Sequence, residues 1–319
     1  MSNKNVITKR YISQNDRFAD LCNHVLFDGR AVILPEQLKE KDVTELGVPF
    51  TAKGMLSVER VRDVLKSCAV KTVDGVTYLV VGVENQSDVH YAMVVRTMVQ
   101  DALSYAAQVE KIAKEHKRKK DLSGDEYLSG FAKADKLVPV VTITVYWNSG
   151  MWDAPRSLHE MLETVSPEIL RYVPDYRMNL VVPEEITDFT KFQTELGVVF
   201  DFLQRSDDVE KTREFLAEKK EHDFYLSRDA ICVLNACVNA GLSLESEEGG
   251  NEDMCRGIQG LVEEGRAEGR AEGRAEERVL VLTELVKDGL ISSEEGAKRA
   301  GKTEEEFLTL LKETREKVK

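Results

Sequence analysis

The sequence predicts an α/β fold: a mixed central sheet flanked by helices in residues 1–150, followed by a mostly helical C-terminal region. Three observations predict it. Residues 58–70 and 76–86 are rich in β-branched side chains and surround Val73-Asp74-Gly75. Asp-Gly between two such runs is a strong hairpin signal. The stretch "HYAMVVRTMVQDALSYAAQVEKIAKEH" (90–116) continues helically after this hairpin, and "LVPVVTITVYW" (137–147) then reads as a buried strand. From 152 to 240 the pattern is mostly helical, as in "SLHEMLETV" and "LGVVFDFLQRS".

Each element has its own local reason. In "RYISQNDRFADLCNHVLF" (10–27), Phe18, Leu21, Cys22, Val25 and Leu26 recur at helical spacing, so one helix is expected. "AVILP" (31–35) reads as a short apolar strand or turn. Ser87 or Asp88 can cap the helix that follows the hairpin. "KRKKDLSGDEYLSGFAKADK" (117–136) is polar and reads as an insertion or loop.

Four regions result. Residues 1–150 form the core, and 151–242 a helical extension packed on it or continuing it. Residues 243–280 form a Gly/Glu/Arg-rich linker or spacer helix, and 281–319 a small helical tail. The spacer contains "EEGRAEGRAEGRAEER", a four-residue repeat. At about 100° per residue its Gly, Arg, Ala and Glu point to four sides, so no apolar stripe forms. It reads as a solvated spacer, with close helical pairing through Gly and Ala as the alternative. The tail's second helix would carry Glu304, Glu305 and Glu306, the wrong charge for reading DNA, and a docking module suits it better.

The net charge of −13 hides an asymmetry. Residues 1–150 hold 21 Lys+Arg against 19 Asp+Glu, net +2; residues 151–319 hold 23 against 38, net −15. Charge therefore excludes no nucleic-acid partner. The five cysteines, odd in number and scattered, point to free thiols in a reducing cytoplasm. No stretch approaches the ~20 apolar residues of a membrane span, and the start lacks a signal peptide's apolar run. There is no G-x-x-x-x-G-K-[ST] loop and no G-x-S-x-G elbow, so a nucleotide cofactor and an esterase triad have no support.

The chemistry concentrates where "TYLVVGVENQSDV" (77–89) ends an apolar strand on a carboxylate. With Asp74 and Gly75 as the two loop residues, Val73 pairs with Val76 and Asp63 falls opposite Gln86. Side chains alternate along a strand, so Asp63, Glu84 and Gln86 share one face. Cβ atoms on that diagonal stand ~7 Å apart. Two such carboxylates can hold a divalent cation through oxygen ligands, with water completing its shell. The bland alternative is a polar strand end beside a surface Asp63.

Asp63 in "VERVRDVLK", the strand ending "VGVENQS" and the helix "VVRTMVQDALSY" together resemble the PD-(D/E)XK nuclease superfamily. More narrowly they are similar to the Rpn family of recombination-promoting nucleases, also labelled transposases. "RFADLCNHVLFDG" (18–29 from Phe18), "VPVVTITVYWNSGMWDAPRSLHEML" (138–162) and the Glu-Gly-Arg repeat fit the same family. The resemblance implies a metal-dependent DNA endonuclease of recombination or of a mobile element. It makes Asp63 and Glu84 ligands of Mg²⁺, with Mn²⁺ as a substitute, and puts Gln86 where the superfamily usually has a water-activating Lys. Gln can hydrogen-bond but brings no positive charge. A further acid often comes from the first helix, and Asp20 is the candidate, with Asp16 behind it and a solvated helix face as the alternative.

Other residues carry paired readings. Arg96 contacts a phosphate or forms a salt bridge. Asp101 and Tyr105 match the family's helix and serve packing. Lys117, Arg118, Lys119 and Lys120 end a segment with six Lys/Arg in ten residues, which follows a DNA backbone or is a solvated helix end. Tyr146, Trp147 and Trp152 form a core corner or stack on bases. Two rival classes stay open. One is a catalytically inactive nuclease-fold DNA-binding protein, favoured by the missing Lys. The other is a regulatory protein whose C-terminal helices build a homo-oligomer or restrain the core.

Overall fold

The computed structural model describes residues 3–41, 44–47, 58–72, 75–163, 166–218, 225–242, 251–253, 281–283, 285–286, 290–300, 303 and 307. They fall into two compact units, 1–258 and 259–319.

The first unit opens with α1 (Asn3–Ile12) and α2 (Asn15–Phe27). Short strands β1 (Lys39–Glu40), β2 (Thr44–Gly47) and β3 (Val58–Val61) follow. The long hairpin β4 (Val64–Thr72) and β5 (Gly75–Gln86) leads into the long helix α3 (Met93–Lys119). After α4 (Gly124–Ser129) come β6 (Val140–Tyr146), α5 (Pro167–Leu170) and β7 (Asn179–Val181). The unit closes with α6 (Leu196–Arg205), α7 (Val209–Glu218), β8 (Tyr225–Ser227), α8 (Arg228–Val238) and β9 (Asn251–Asp253).

The main sheet has the order β1-β4-β5-β6-β7. The β1–β4 and β4–β5 pairs are antiparallel, and β5–β6 and β6–β7 are parallel. The crossover from β5 to β6 runs through α3, as a parallel pair requires. β5 lies at the centre and is covered on both faces, so its Val80, Val81 and Val83 are buried as a continuous run. Leu65, Val80 and Val140 pack with Tyr105 of α3 on one face. The opposite face carries the aromatic core, where Trp147 meets Tyr11 at 6.0 Å and Phe200 at 5.2 Å between ring centroids.

Several expectations change. The single helix expected over 10–27 is two helices, broken at Ser13–Gln14, where Gln14 is extended. The break has a counterpart in the sheet: the buried Lys66 of β4 donates to the Ser13 carbonyl (2.6 Å) and to Asn15. A helix-end carbonyl that would otherwise lack a partner is thereby satisfied. The helix after the hairpin continues to Lys119, so Lys117, Arg118 and Lys119 belong to α3 and Lys120 caps it, where the sequence predicts a loop from 117. The described part of "SLHEMLETV", 157–163, is not an α-helix: Ser157 bridges Arg177, and His159–Met161 form a 3₁₀ turn. Residues 179–181 supply β7, the last strand of the main sheet, so the region after 150 continues the core, the second of its two expected arrangements.

The hairpin register also differs. Thr72 pairs with Gly75 and Val64 with Val83. One step further along this register sets Asp63 across from Glu84, not Gln86. The shift is two residues, and an even slip keeps every side chain on its face.

The second unit contains α9 (Ser293–Ala300). Leu282, Ala297 and Phe307 are buried together, with Leu285, Val286 and Ile291 against them. A Cβ added at Gly296 would stand 2.9 Å from both Phe307 and Val286, so a larger residue there must displace their side chains. The Glu-Gly-Arg repeat and residues 304–306 lie outside the described residues. Among the described residues no helix is long and apolar enough to cross a membrane.

Candidate active site

Asp63 sits in the bend between β3 and β4, and Glu84 two residues from the end of β5. Their contacts are reciprocal. The Asp63 backbone N–H donates to Glu84 Oε1 (3.3 Å), and the Asn85 backbone N–H donates to Asp63 Oδ2 (2.8 Å). The Asn85 side chain reaches the same Asp63 oxygen at 3.4 Å and accepts from the Trp147 indole N–H at 2.7 Å. Asp63 is thus oriented from the aromatic core through Asn85.

Glu84 has no exposed surface. Gln100 of α3 donates to its Oε1 at 2.9 Å, and Arg96 of α3 donates to its Oε2 at 3.2 Å. Burial raises the Glu84 pKa to about 7, the Asp63 charge adds to the rise, and Arg96 opposes it. Desolvation and a like charge both penalise the anion. Gln86 is the next residue along the same face of β5 and is half-buried at the strand end. Its carbonyl accepts from the Trp147 backbone N–H (2.8 Å), which fixes the strand end against β6.

A buried network beneath the pair holds it in place. Arg62, immediately before Asp63, is fully buried. Its guanidinium donates to Asp101 Oδ1 (3.0 Å), Ser104 Oγ (3.3 Å) and Thr142 Oγ1. Asp101 also accepts from Thr142 Oγ1 (2.5 Å) and from the Tyr176 hydroxyl (2.6 Å). One carboxylate therefore ties the β3–β4 bend, α3, β6 and the approach to β7 together. Tyr105 accepts from the Val140 backbone N–H (3.0 Å), a packing role like that of Asp101.

The remaining candidates lie elsewhere or act otherwise. Asp20 is buried, and its oxygens accept from the Gln193 N–H (2.9 Å), the Thr194 N–H (2.9 Å) and the Thr194 hydroxyl (2.6 Å). The structure gives it to the turn before α6 and not to the Asp63–Glu84 pair. No group of three or more His, Cys, Asp or Glu has metal-holding geometry among the described residues. Arg96 pairs with Glu84, so in this state it faces the carboxylate and not an open groove. Lys117, Arg118, Lys119 and Lys120 are exposed at the C-terminal end of α3. They begin 17 residues beyond Gln100, about 25 Å along the helix axis. Tyr146, Trp147 and Trp152 are buried, Tyr146 edge-on to Trp152 at 5.4 Å, so they form a core corner.

Sequence reasoning missed Gln100, Asn85 and the Arg62 network. A signal existed: the buried face of α3 carries Thr97, Gln100, Asp101 and Ser104, too polar for a face that only packs.

Asp63 and Glu84, each accepting from a backbone N–H on the other's side and one of them buried against its own charge, present the hard oxygen donors that a divalent cation takes. Fold and site define the class: a mixed α/β protein carrying a coupled carboxylate pair at the end of its central strand. A family described as "Putative transposase, YhgA-like" matches residues 58–217, half of the chain, from β3 through α7. The chain belongs to this family. Neither the curated proteins nor the solved structures gave a match.

Proposed function

We propose that the chain is a Mg²⁺-dependent DNA endonuclease acting in recombination or in a mobile element, with a PD-(D/E)XK core formed by the main sheet and α3. The observation that carries this reading is the fully buried Glu84, set across the hairpin from Asp63 so that each carboxylate accepts from the other's strand. A buried carboxylate beside a second one is costly unless a cation joins them. The family assignment supports a reaction on DNA.

Asp63 and Glu84 would hold Mg²⁺, with Mn²⁺ as a substitute. Such a cation polarises a phosphoryl oxygen and lowers the pKa of a bound water. Asn85 and Gln100 orient the two carboxylates. Gln86 positions the attacking water or a phosphate oxygen by hydrogen bonding. Water attacks phosphorus, the phosphorus–oxygen bond to the leaving strand breaks, and the leaving oxygen takes up a proton. The basic end of α3 holds the DNA backbone away from the chemistry, and its affinity falls with salt. No residue is assigned to strand joining.

The test is plasmid nicking with Mg²⁺, comparing wild type with Glu84→Ala and with EDTA. Cutting that needs both metal and Glu84 is expected. A second reading, a DNA-binding protein without catalysis, is favoured by Gln86 in place of Lys and by the Arg96–Glu84 ion pair. Folded protein that binds DNA but never cuts it, with Mg²⁺ or Mn²⁺, establishes that reading.

A further inference from the structure

The two oxygens of Glu84 are held differently. Oε1 accepts from two neutral donors, the Asp63 backbone N–H and Gln100, whose side chain is buried. These fix where the carboxylate points. Oε2 accepts from Arg96, whose side chain is 35% exposed while Glu84 is fully buried. Arg96 is thus the partner of Glu84 that reaches solvent, and it stands in the first turn of α3, beside the end of β5. Its guanidinium brings one positive charge to two carboxylates; the buried Arg62, which also favours the Glu84 anion, is held by Asp101. A divalent cation balances both, and in a poorly solvated site that difference is worth more than it would be in water.

We propose that Arg96 is an exchangeable counter-ion: it stands in for the divalent cation at Glu84 Oε2, and metal binding releases it outward to take a phosphate oxygen of the bound strand. The inference rests on the reading of Asp63 and Glu84 as a metal pair. It goes further by making metal and guanidinium mutually exclusive on one oxygen. Gln100 and the Asp63 N–H keep Glu84 aimed throughout, so the exchange needs only the Arg96 side chain to swing. A planar guanidinium suits both a carboxylate and a phosphate, so either contact satisfies it. The device keeps the metal-free site paired and makes the phosphate-binding charge available only once metal is present.

The experiment is calorimetric titration of the full chain with Ca²⁺ in the absence of DNA, at about pH 8.5, where protons compete least for Glu84. Wild type, Arg96→Met and Glu84→Gln are compared. Arg96→Met is expected to bind Ca²⁺ about tenfold more tightly than wild type, because a charge-assisted bond no longer competes. Glu84→Gln is expected to lose binding. Equal affinity of wild type and Arg96→Met, with binding lost in Glu84→Gln, overturns the exchange and leaves the metal pair standing. Absence of Ca²⁺ binding in both wild type and Arg96→Met overturns the metal pair and the exchange with it. Should Arg96→Met not fold, Arg96→Gln serves, since it keeps a hydrogen-bond donor without the charge. An independent readout is the salt dependence of DNA binding. In Ca²⁺ the slope of log K against log salt is expected to be smaller by about one in Arg96→Met than in wild type, and in EDTA the two slopes should agree. A difference that is the same with and without Ca²⁺ overturns the exchange.

Discussion

At the scale of single residues, Glu84 is where burial opposes charge. Its folded pKa of about 7 lies above the ordinary carboxylate value of 4.5. Between those values the folded chain holds a proton that the unfolded chain has released. Stability from this residue is therefore full below about pH 4.5 and falls as pH rises toward 7, by about 3 kcal/mol in all. Glu84→Gln removes that loss. Thermal unfolding of the metal-free protein should show the variant more stable than wild type at pH 8 and close to it at pH 5. An equal gap at both pH values would falsify the assignment of the buried charge. Asp20 is the contrasting acid, since its three accepted bonds tie α2 to the turn before α6. Asp20→Asn should cost about 1–2 kcal/mol in denaturant unfolding and leave nicking per folded molecule unchanged.

At the scale of elements, the β4–β5 hairpin and α3 form one machine part. The hairpin sets the carboxylates across from each other, and α3 supplies the groups that hold Glu84. The joint between them is the Arg62–Asp101–Thr142 cluster, which lies over Gly82 of β5. A Cβ at Gly82 would run into the Arg62 guanidinium, which cannot withdraw without leaving Asp101 buried and underpaired. Gly82→Ala should therefore lower stability by about 1–3 kcal/mol, read as a lower denaturant midpoint. It should also weaken the metal-dependent activity more than an equally destabilising change in the second unit, because Arg62 precedes Asp63 in the chain.

At the scale of the whole molecule, charge and chemistry are spread out. The exposed Lys117–Lys120 run lies about 25 Å along α3 from Gln100, too far to touch a phosphate that lies against Glu84. His116, just before it, lies between the Asp121 and Asp135 carboxylates at 2.7 and 2.9 Å, which raise its pKa and pin the following segment back onto the helix. Changing Lys117, Arg118, Lys119 and Lys120 to Gln should reduce the salt slope of DNA binding by up to about 3.6 and leave Ca²⁺ binding at Glu84 unaltered. Titration of DNA at several salt concentrations checks the first part and calorimetry the second.

The sequence by itself determined the hairpin, the long helix after it, the buried strand β6 and the shared face of Asp63 and Glu84. These are local signals: β-branched runs around Asp-Gly, a helical period, an apolar strand ending on Glu. It misplaced the hairpin register by two residues, and Asp63 and Glu84 kept their shared face because the alternation of a strand survives an even slip. Tertiary structure alone decided what each polar group faces. It gave Asp20 to residues 193 and 194, brought β7 into the sheet from beyond residue 150, and set Arg96 and Gln100 on Glu84. Those outcomes join residues from separate elements, and no period or spacing encodes them: a buried carboxylate takes whichever donors the packing of distant elements brings to it.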